Sequence, residues 1–461
     1  MAFPGALNQL PEGTQATLDL IADFDQCFLT GFAHLDTHHL QTLDTLQKIF
    51  TGTPLQKPLS ETCSAIKNNE FVDQYFAVLA AVRASLQGSL FDNLQQHVRG
   101  VLGRETGDEE DEGDSPDEGN RHLQVWLEST RHWLMEIALV GYARLEASTL
   151  VPFMTTLEQI QAEPLLIRQA AILTGFFNEV MSRVPVADSS TIPIYRWMDL
   201  WTQAMVSSLR PPVSPKPKSV SGTLELLGLD LRHHANLVSF TAYGLLTVDS
   251  QVKLTRTTLS AYKVDVISGD QIWLLFPNAA ILLEAFAENR ALHLKDIPLL
   301  PTGDLLWQGQ AQLGHNYDLM KKSAEFFAVN AKNSFIPCVV SSRDRHPVQL
   351  SEPVHLSNYT TSLNNDILTF NWKDSGYLPI ATERINNFSE LNIETIAKST
   401  EIFGLLRFDA GHWAVQPLAA IARGKTIFTG QKASHILKTP PKTSAVATLQ
   451  ERASRLLRKK S

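Results

Sequence analysis

Through the first part of the chain, apolar residues recur at the three-to-four-residue spacing of an amphipathic helix. Leu18, Ile21, Phe24, Phe28 and Phe32 form one such stripe, and Phe71, Tyr75, Val78, Leu79, Val82 and Leu86 form another. The pattern resumes with Leu123, Trp126, Leu127, Leu134, Ile137 and Leu145, and continues through 165–181 and 197–206. Pro152, Pro164, Pro185 and Pro193 fall where one helix stops or another starts. Residues 1–209 are therefore expected to form an all-α domain, a bundle or irregular helical array.

At residues 210–222, RPPVSPKPKSVSG, four prolines and three basic residues with no acid predict an extended, semi-rigid connector. Beyond it the rhythm shortens to runs rich in Val, Thr, Tyr, Phe and Trp, at 237–248, 252–259, 262–267 and 271–276, with Ser268-Gly269-Asp270 as a hairpin turn. Helices are expected at 279–291 and 317–331, and later strands at 367–372, 403–408 and 413–416. Residues 223–422 thus read as a mixed domain, mainly antiparallel β with a few helices, which makes the whole an α+β multidomain protein. The remainder, 423–461, is a basic tail ending in a basic amphipathic helix over 444–460. No repeat of fixed period is visible.

Charge changes this picture more than composition does. At 461 residues and 44% apolar content the chain can bury ordinary cores. Its net charge of -8 is local, because nine acids fall within 104–118, RETGDEEDEGDSPDE. That stretch has no aromatic or bulky aliphatic side chain, so 104–120 is expected to be a disordered acidic loop inserted in the helical domain. The tail carries ten Lys or Arg against Glu451 alone. Asp108, Glu109, Glu110, Asp111 and Glu112, with Arg452, Arg455, Arg458, Lys459 and Lys460, are the candidate interaction residues. The N-terminus lacks the basic and long apolar regions of a signal peptide, and 133–145 is too short and too charged to span a bilayer, so a cytoplasmic protein without a transmembrane segment is expected. Cys27, Cys63 and Cys338 are isolated and read as packed thiols.

Candidate chemistry is sparse. His34, Asp36, His38 and His39 lie in AHLDTHHL, where four-residue spacing would put His34 and His38 on one helical face as in many zinc sites; no Glu follows His34, and a surface cluster fits better than a metal. Arg232, His233 and His234 sit between two strands, where His233 is the nearest approach to a proton carrier. Gly424-Lys425-Thr426 resembles the end of a phosphate-binding loop, but Ala419 stands where that motif needs glycine. Trp197 and Trp201, four apart, read as a core stripe ahead of a binding patch, and Trp307, Trp372 and Trp413 read the same way. No cofactor or metal is expected.

The segments Glu401–Ala419 (EIFGLLRFDAGHWAVQPLA), Leu226–Asp230 (LLGLD) and Arg196–Trp201 (RWMDLW) resemble parts of uncharacterised bacterial proteins encoded beside MoxR-type AAA+ ATPases, von Willebrand factor A proteins and SWIM zinc-finger proteins. The resemblance implies an accessory or adaptor subunit working with such an ATPase, and transfers no catalytic residue. The leading expectation is a non-enzymatic bacterial adaptor binding protein partners. The alternatives are a nucleic-acid-binding protein using the basic tail and an enzyme with a site dispersed in sequence, for which His233 and His234 are the candidates.

Overall fold

The computed structural model describes residues 3–104, 121–209, 216–234, 236–264, 266–327, 338–364, 367–373 and 375–440. Two compact units are present. One comprises 11–92 and 112–214; the other comprises 1–10, 93–111 and 215–461.

The first unit is helical: α1 (Thr14–Thr30), α2 (Thr37–Ile49), α3 (Gln56–Lys67), the first part of α4 (Asp73–Val101), α5 (Arg121–Val140), α6 (Ala147–Leu150), α7 (Met154–Ala162), α8 (Ile167–Met181) and α9 (Ile194–Leu209). The expected α1 stripe runs as far as Phe28; Phe32 then falls in a short 3-10 turn, because Gly31 takes φ 92° and ψ 137° and ends the helix. The apolar faces converge on one core that holds Phe24, Phe28, Phe32, Tyr142, Phe176, Trp197 and Trp201, all buried. Each such side chain contributes roughly 1.5–3 kcal/mol of burial energy.

The second unit is built on antiparallel sheets with a few helices. Its strands are β1 (Lys218–His234), β2 (Leu237–Val248), β3 (Gln251–Tyr262), β4 (Arg290–Leu299), β5 (Gln312–Asn316), β6 (Glu352–Ser357), β7 (Thr360–Asn364), β8 (Ile367–Trp372), β9 (Gly376–Pro379), β10 (Ser399–Asp409), β11 (His412–Ala422) and β12 (Lys425–Phe428). They form sheets ordered β3-β2-β1-β4-β5, β12-β11-β10-β6 and β7-β8-β9. The first two pack face to face where β1 bulges beside Gly228: a Cβ there would lie 2.7 Å from Leu418 Cβ and 2.9 Å from the Phe403 ring, so the close approach requires glycine. Helices α10 (Ala280–Ala287), α11 (Leu319–Phe327), α12 (Ile393–Ile396) and α13 (Ala433–Lys438) complete the unit.

The structure corrects several sequence expectations. Residues 262–267 and 271–276 do not form a hairpin: β3 ends at Tyr262, and Gly269–Leu275 is a 3-10 helix that buries Ile272 and Trp273. A short apolar run looks alike in either state, and packing settled this one. The connector ends earlier than Gly222, since Lys218 already pairs with Leu299 of β4. At the other end the fold passes residue 422, because β12 pairs with β11 and α13 packs on α10. Residues 1–10 and 93–101, which the pattern placed in the helical half, belong to the β-rich unit, where His97 Nε2 lies 3.2 Å from the Leu7 carbonyl.

Candidate functional site

In the β-rich unit, α11 brings together side chains with the chemistry of an acyl-transfer triad. Ser323 Oγ lies 3.2 Å from Nδ1 of His355, and Nε2 of the same ring lies 3.4 Å from Oε2 of Glu401. Ser323 is on α11, His355 on β6 and Glu401 on β10, so the pairing of β10 with β6 and the packing of α11 against both assemble the row. Burial lowers the proton affinity of His355 more than Glu401 raises it, which keeps the ring neutral near pH 7. The geometry still lacks what catalysis needs, because Ser323 is 0% exposed and offers its oxygen to no substrate. The row instead fastens α11 to the sheet. Beside it, buried Glu225 accepts from Lys322 Nζ at 3.1 Å and lies 3.2 Å from His315 Nε2, while Tyr317 donates to the Leu226 carbonyl at 2.6 Å.

A second constellation joins the two larger sheets. Asp230 of β1 accepts from Arg407 of β10 and Gln416 of β11, each at 2.7 Å, and from Arg232 at 3.0 Å. Burial pushes the Asp230 carboxyl up, but Arg407, Arg232 and Gln416 outweigh it and hold the group below the ordinary aspartate value. Arg407 also donates to the Gln416 side chain at 3.0 Å and is as buried as its partner. Near the end of α4, Arg104 donates to Glu352 at 2.6 Å and to the Pro353 carbonyl at 2.7 Å, with its guanidinium 5.7 Å from the Phe327 ring centre. Arg104 is therefore part of the fold and not the first residue of an acidic loop.

The helical unit holds a third buried cluster. Arg83 makes a two-pronged contact with Asp25 at 2.7 and 2.9 Å, reaches Asp199 at 2.9 Å, and is 1% exposed. Tyr142 is enclosed in the same core, and burial drives its phenol well above the ordinary value.

The motifs singled out in the sequence fall elsewhere. His34 and His38 do not share a helical face, because α2 begins only at Thr37: Asp36 caps it by accepting from the His39 amide at 3.0 Å, and His39 Nδ1 returns to Asp36. Among the described residues no three His, Cys, Asp or Glu side chains converge as a metal site would require. His233 is exposed at the end of β1, 5.5 Å from the Phe388 ring, and partial desolvation lowers its proton affinity. Gly424-Lys425 belongs to the tight β11–β12 turn, with Arg423 at φ 51° and Gly424 at φ 72°; no helix N-terminus follows to hold a phosphate. Trp197, Trp201 and Trp413 are core residues, and Trp201 donates to the Leu134 carbonyl at 2.9 Å. Trp307 and Trp372 are partly buried and donate to the carbonyls of Asn278 and Ser357.

The ten candidate interaction residues, Asp108 to Glu112 and Arg452 to Lys460, lie outside the described residues, as does the expected helix over 444–460. Sequence reading missed Asp25, Arg83, Asp230, Ser323, Glu352, His355, Arg407 and Gln416. A signal existed for Asp230 and Arg407: each is a charge set inside an apolar strand run, LLGLDL and FGLLRF, and a charge there has to be paired. No helix among the described residues is long and apolar enough to cross a membrane. The chain matches no known family and no curated protein.

Proposed function

We propose that the protein is a non-enzymatic bacterial adaptor or accessory subunit that holds protein partners through its two charged segments. A cytoplasmic setting and work alongside a MoxR-type AAA+ ATPase are parts of this reading. The observation that carries it is the separation of charge. Residues 105–120 contain nine acids and no base, while the buried ionic clusters of the folded units are used up within the fold. The basic segment is shorter than the tail as a whole. Of the tail's ten bases, Arg423, Lys432 and Lys438 already face Glu394, Glu390 and Glu284 and Lys425 begins β12, which leaves 441–461 with six Lys or Arg against Glu451.

Single exposed ion pairs contribute only about 0–1 kcal/mol and are screened by salt, so docking of this kind needs many charges together. Both segments supply that number. The Ser323 row supports the same reading, because the best-arranged catalytic residue types point inward.

The test removes 105–120, or the segment after Pro440, from a tagged full-length protein and compares what each form captures from native cells. Loss of partners with unchanged melting supports the proposal; full capture by both deletions contradicts it. Recovery of RNA or DNA alone, abolished by nuclease and falling steeply with salt, would put a nucleic-acid-binding role of the tail in its place.

A further inference from the structure

We infer that the helical unit is a tandem duplication of one four-helix module, and that residues 105–120 are the linker joining its two copies. The first copy runs from α1 to α4 and the second from α5 to α9, where α6 and α7 together take the place of α2.

The sequence trace is short. Gly31-Phe-Ala-His-Leu-Asp36 and Gly141-Tyr-Ala-Arg-Leu-Glu146 stand 110 residues apart, each directly after a long helix. The backbones agree over the same stretch: Gly31 has φ 92°, ψ 137° and Gly141 φ 85°, ψ 143°, while Leu35 and Leu145 have φ -64°, ψ 137° and φ -65°, ψ 136°. A 3-10 turn occupies the same place in both, and a further helix follows. The turn after Gly31 packs on α5 as the turn after Gly141 packs on α1.

The two glycines also meet each other. A Cβ on Gly31 would lie 2.6 Å from the Val140 carbonyl oxygen, and a Cβ on Gly141 would lie 2.6 Å from the Thr30 carbonyl oxygen. Thr30 and Val140 are themselves equivalent, so the contact reads the same from either side, as it does across a two-fold axis.

The equivalence extends through the later helices. Leu59, Cys63 and Ile66 of α3 correspond to Gln169, Leu173 and Phe176 of α8, and all six are buried. Phe32 meets Phe76 edge-on at 5.2 Å and 80°, and Tyr142 meets Trp197 edge-on at 5.2 Å and 81°. These pairs align α4 with α9 at a separation of 121 residues, the difference from 110 being extra chain between α8 and α9. On that alignment Asp25 and Arg83, the buried ion pair, correspond to Met135 and Ala204. One copy keeps a charge pair where the other is apolar, an exchange that buried pairs tolerate.

The duplication makes a prediction that a single unrepeated bundle does not. Arg144 donates to the Thr30 carbonyl. Its counterpart is exposed His34, and the counterpart of the Thr30 carbonyl is that of Val140. His34→Arg in the full-length protein should therefore place a guanidinium on the Val140 carbonyl and raise the melting temperature by about 2–4 °C. The crystal structure of that variant should show the bond, and Gly31→Ala and Gly141→Ala should lower melting by similar amounts. No rise with His34→Arg, a new guanidinium directed to solvent in its crystal structure, or clearly unequal effects of the two glycine substitutions would overturn the inference.

Discussion

Removing the Asp230 carboxylate should damage the β-rich unit and leave the helical unit intact. In Asp230→Ala, Arg407 keeps its burial and loses its anion, Gln416 loses an acceptor at 2.7 Å, and Arg232 is released. Breaking a buried pair from one side costs about 3–5 kcal/mol, a large part of the roughly 5–15 kcal/mol that holds a domain together. For a unit of this size that corresponds to a fall in melting temperature of about 6–20 °C. The two units need not unfold together, so hydrogen exchange resolved by peptide is the suitable assay. Protection should fall in β1, β10 and β11, which carry Asp230, Arg407 and Gln416, and stay at its wild-type level in α1, α5 and α8. The triple variant Asp230→Leu, Arg407→Met, Gln416→Leu should recover most of the loss, because it removes the stranded charge along with its partners. A change below about 1 kcal/mol in Asp230→Ala, or equal loss of protection in both units, would refute the reasoning.

Other outcomes follow from the same structure. Because the Asp230 carboxyl is held below its unfolded value, its stabilisation is complete above the ordinary aspartate range near pH 4 and is lost as pH falls through the depressed value; acid unfolding of the wild type should converge on that of Asp230→Asn only below that depressed value. Arg104→Ala, which breaks the bonds to Glu352 and Pro353 and the contact with Phe327, should cost about 2–4 kcal/mol by urea denaturation, whereas deletion of 105–120 should leave the midpoint unchanged. Cys27 and Cys63 are buried and the Cys338 thiol is pushed up to about 12, chiefly by burial, so Ellman's reagent at pH 8 should react with none of them before unfolding and with all three after.

The fold class was legible because it rests on periodicity. The helical stripe of 71–86 buries Leu79, Val82 and Leu86 and partly buries Tyr75 and Val78, with Phe71 just ahead of α4, and the strand run of 237–248 buries Val238, Phe240, Ala242 and Tyr243 through Leu246. Boundaries were legible only where a backbone signal stood. Gly31 ends α1, but no rule distinguished it from a tolerated helical glycine until its close approach to Val140 was seen. The 271–276 run failed because its apolar residues suit a strand and a 3-10 helix equally well.

The buried polar clusters were harder still. Asp25 and Arg83 are 58 residues apart, and only tertiary packing makes them partners. His34 and His38 looked paired on spacing alone, and the capping preference of Asp36, itself readable in the sequence, is what separates them. The duplication escaped notice because its two copies share few identical residues, with similarity concentrated at the glycine turn, where backbone conformation leaves least freedom.

The measurement that bears most directly on the proposed role is affinity capture of tagged full-length protein and of the form lacking both 105–120 and 441–461, from native cells at low and moderate salt, with mass spectrometry of what is recovered. The account predicts that the full-length chain retains a defined protein set, including an AAA+ ATPase, that moderate salt weakens it, and that the doubly deleted form, melting as the wild type does, loses it. Recovery of the same set by the doubly deleted form would contradict the claim that the charged segments make the partner contacts.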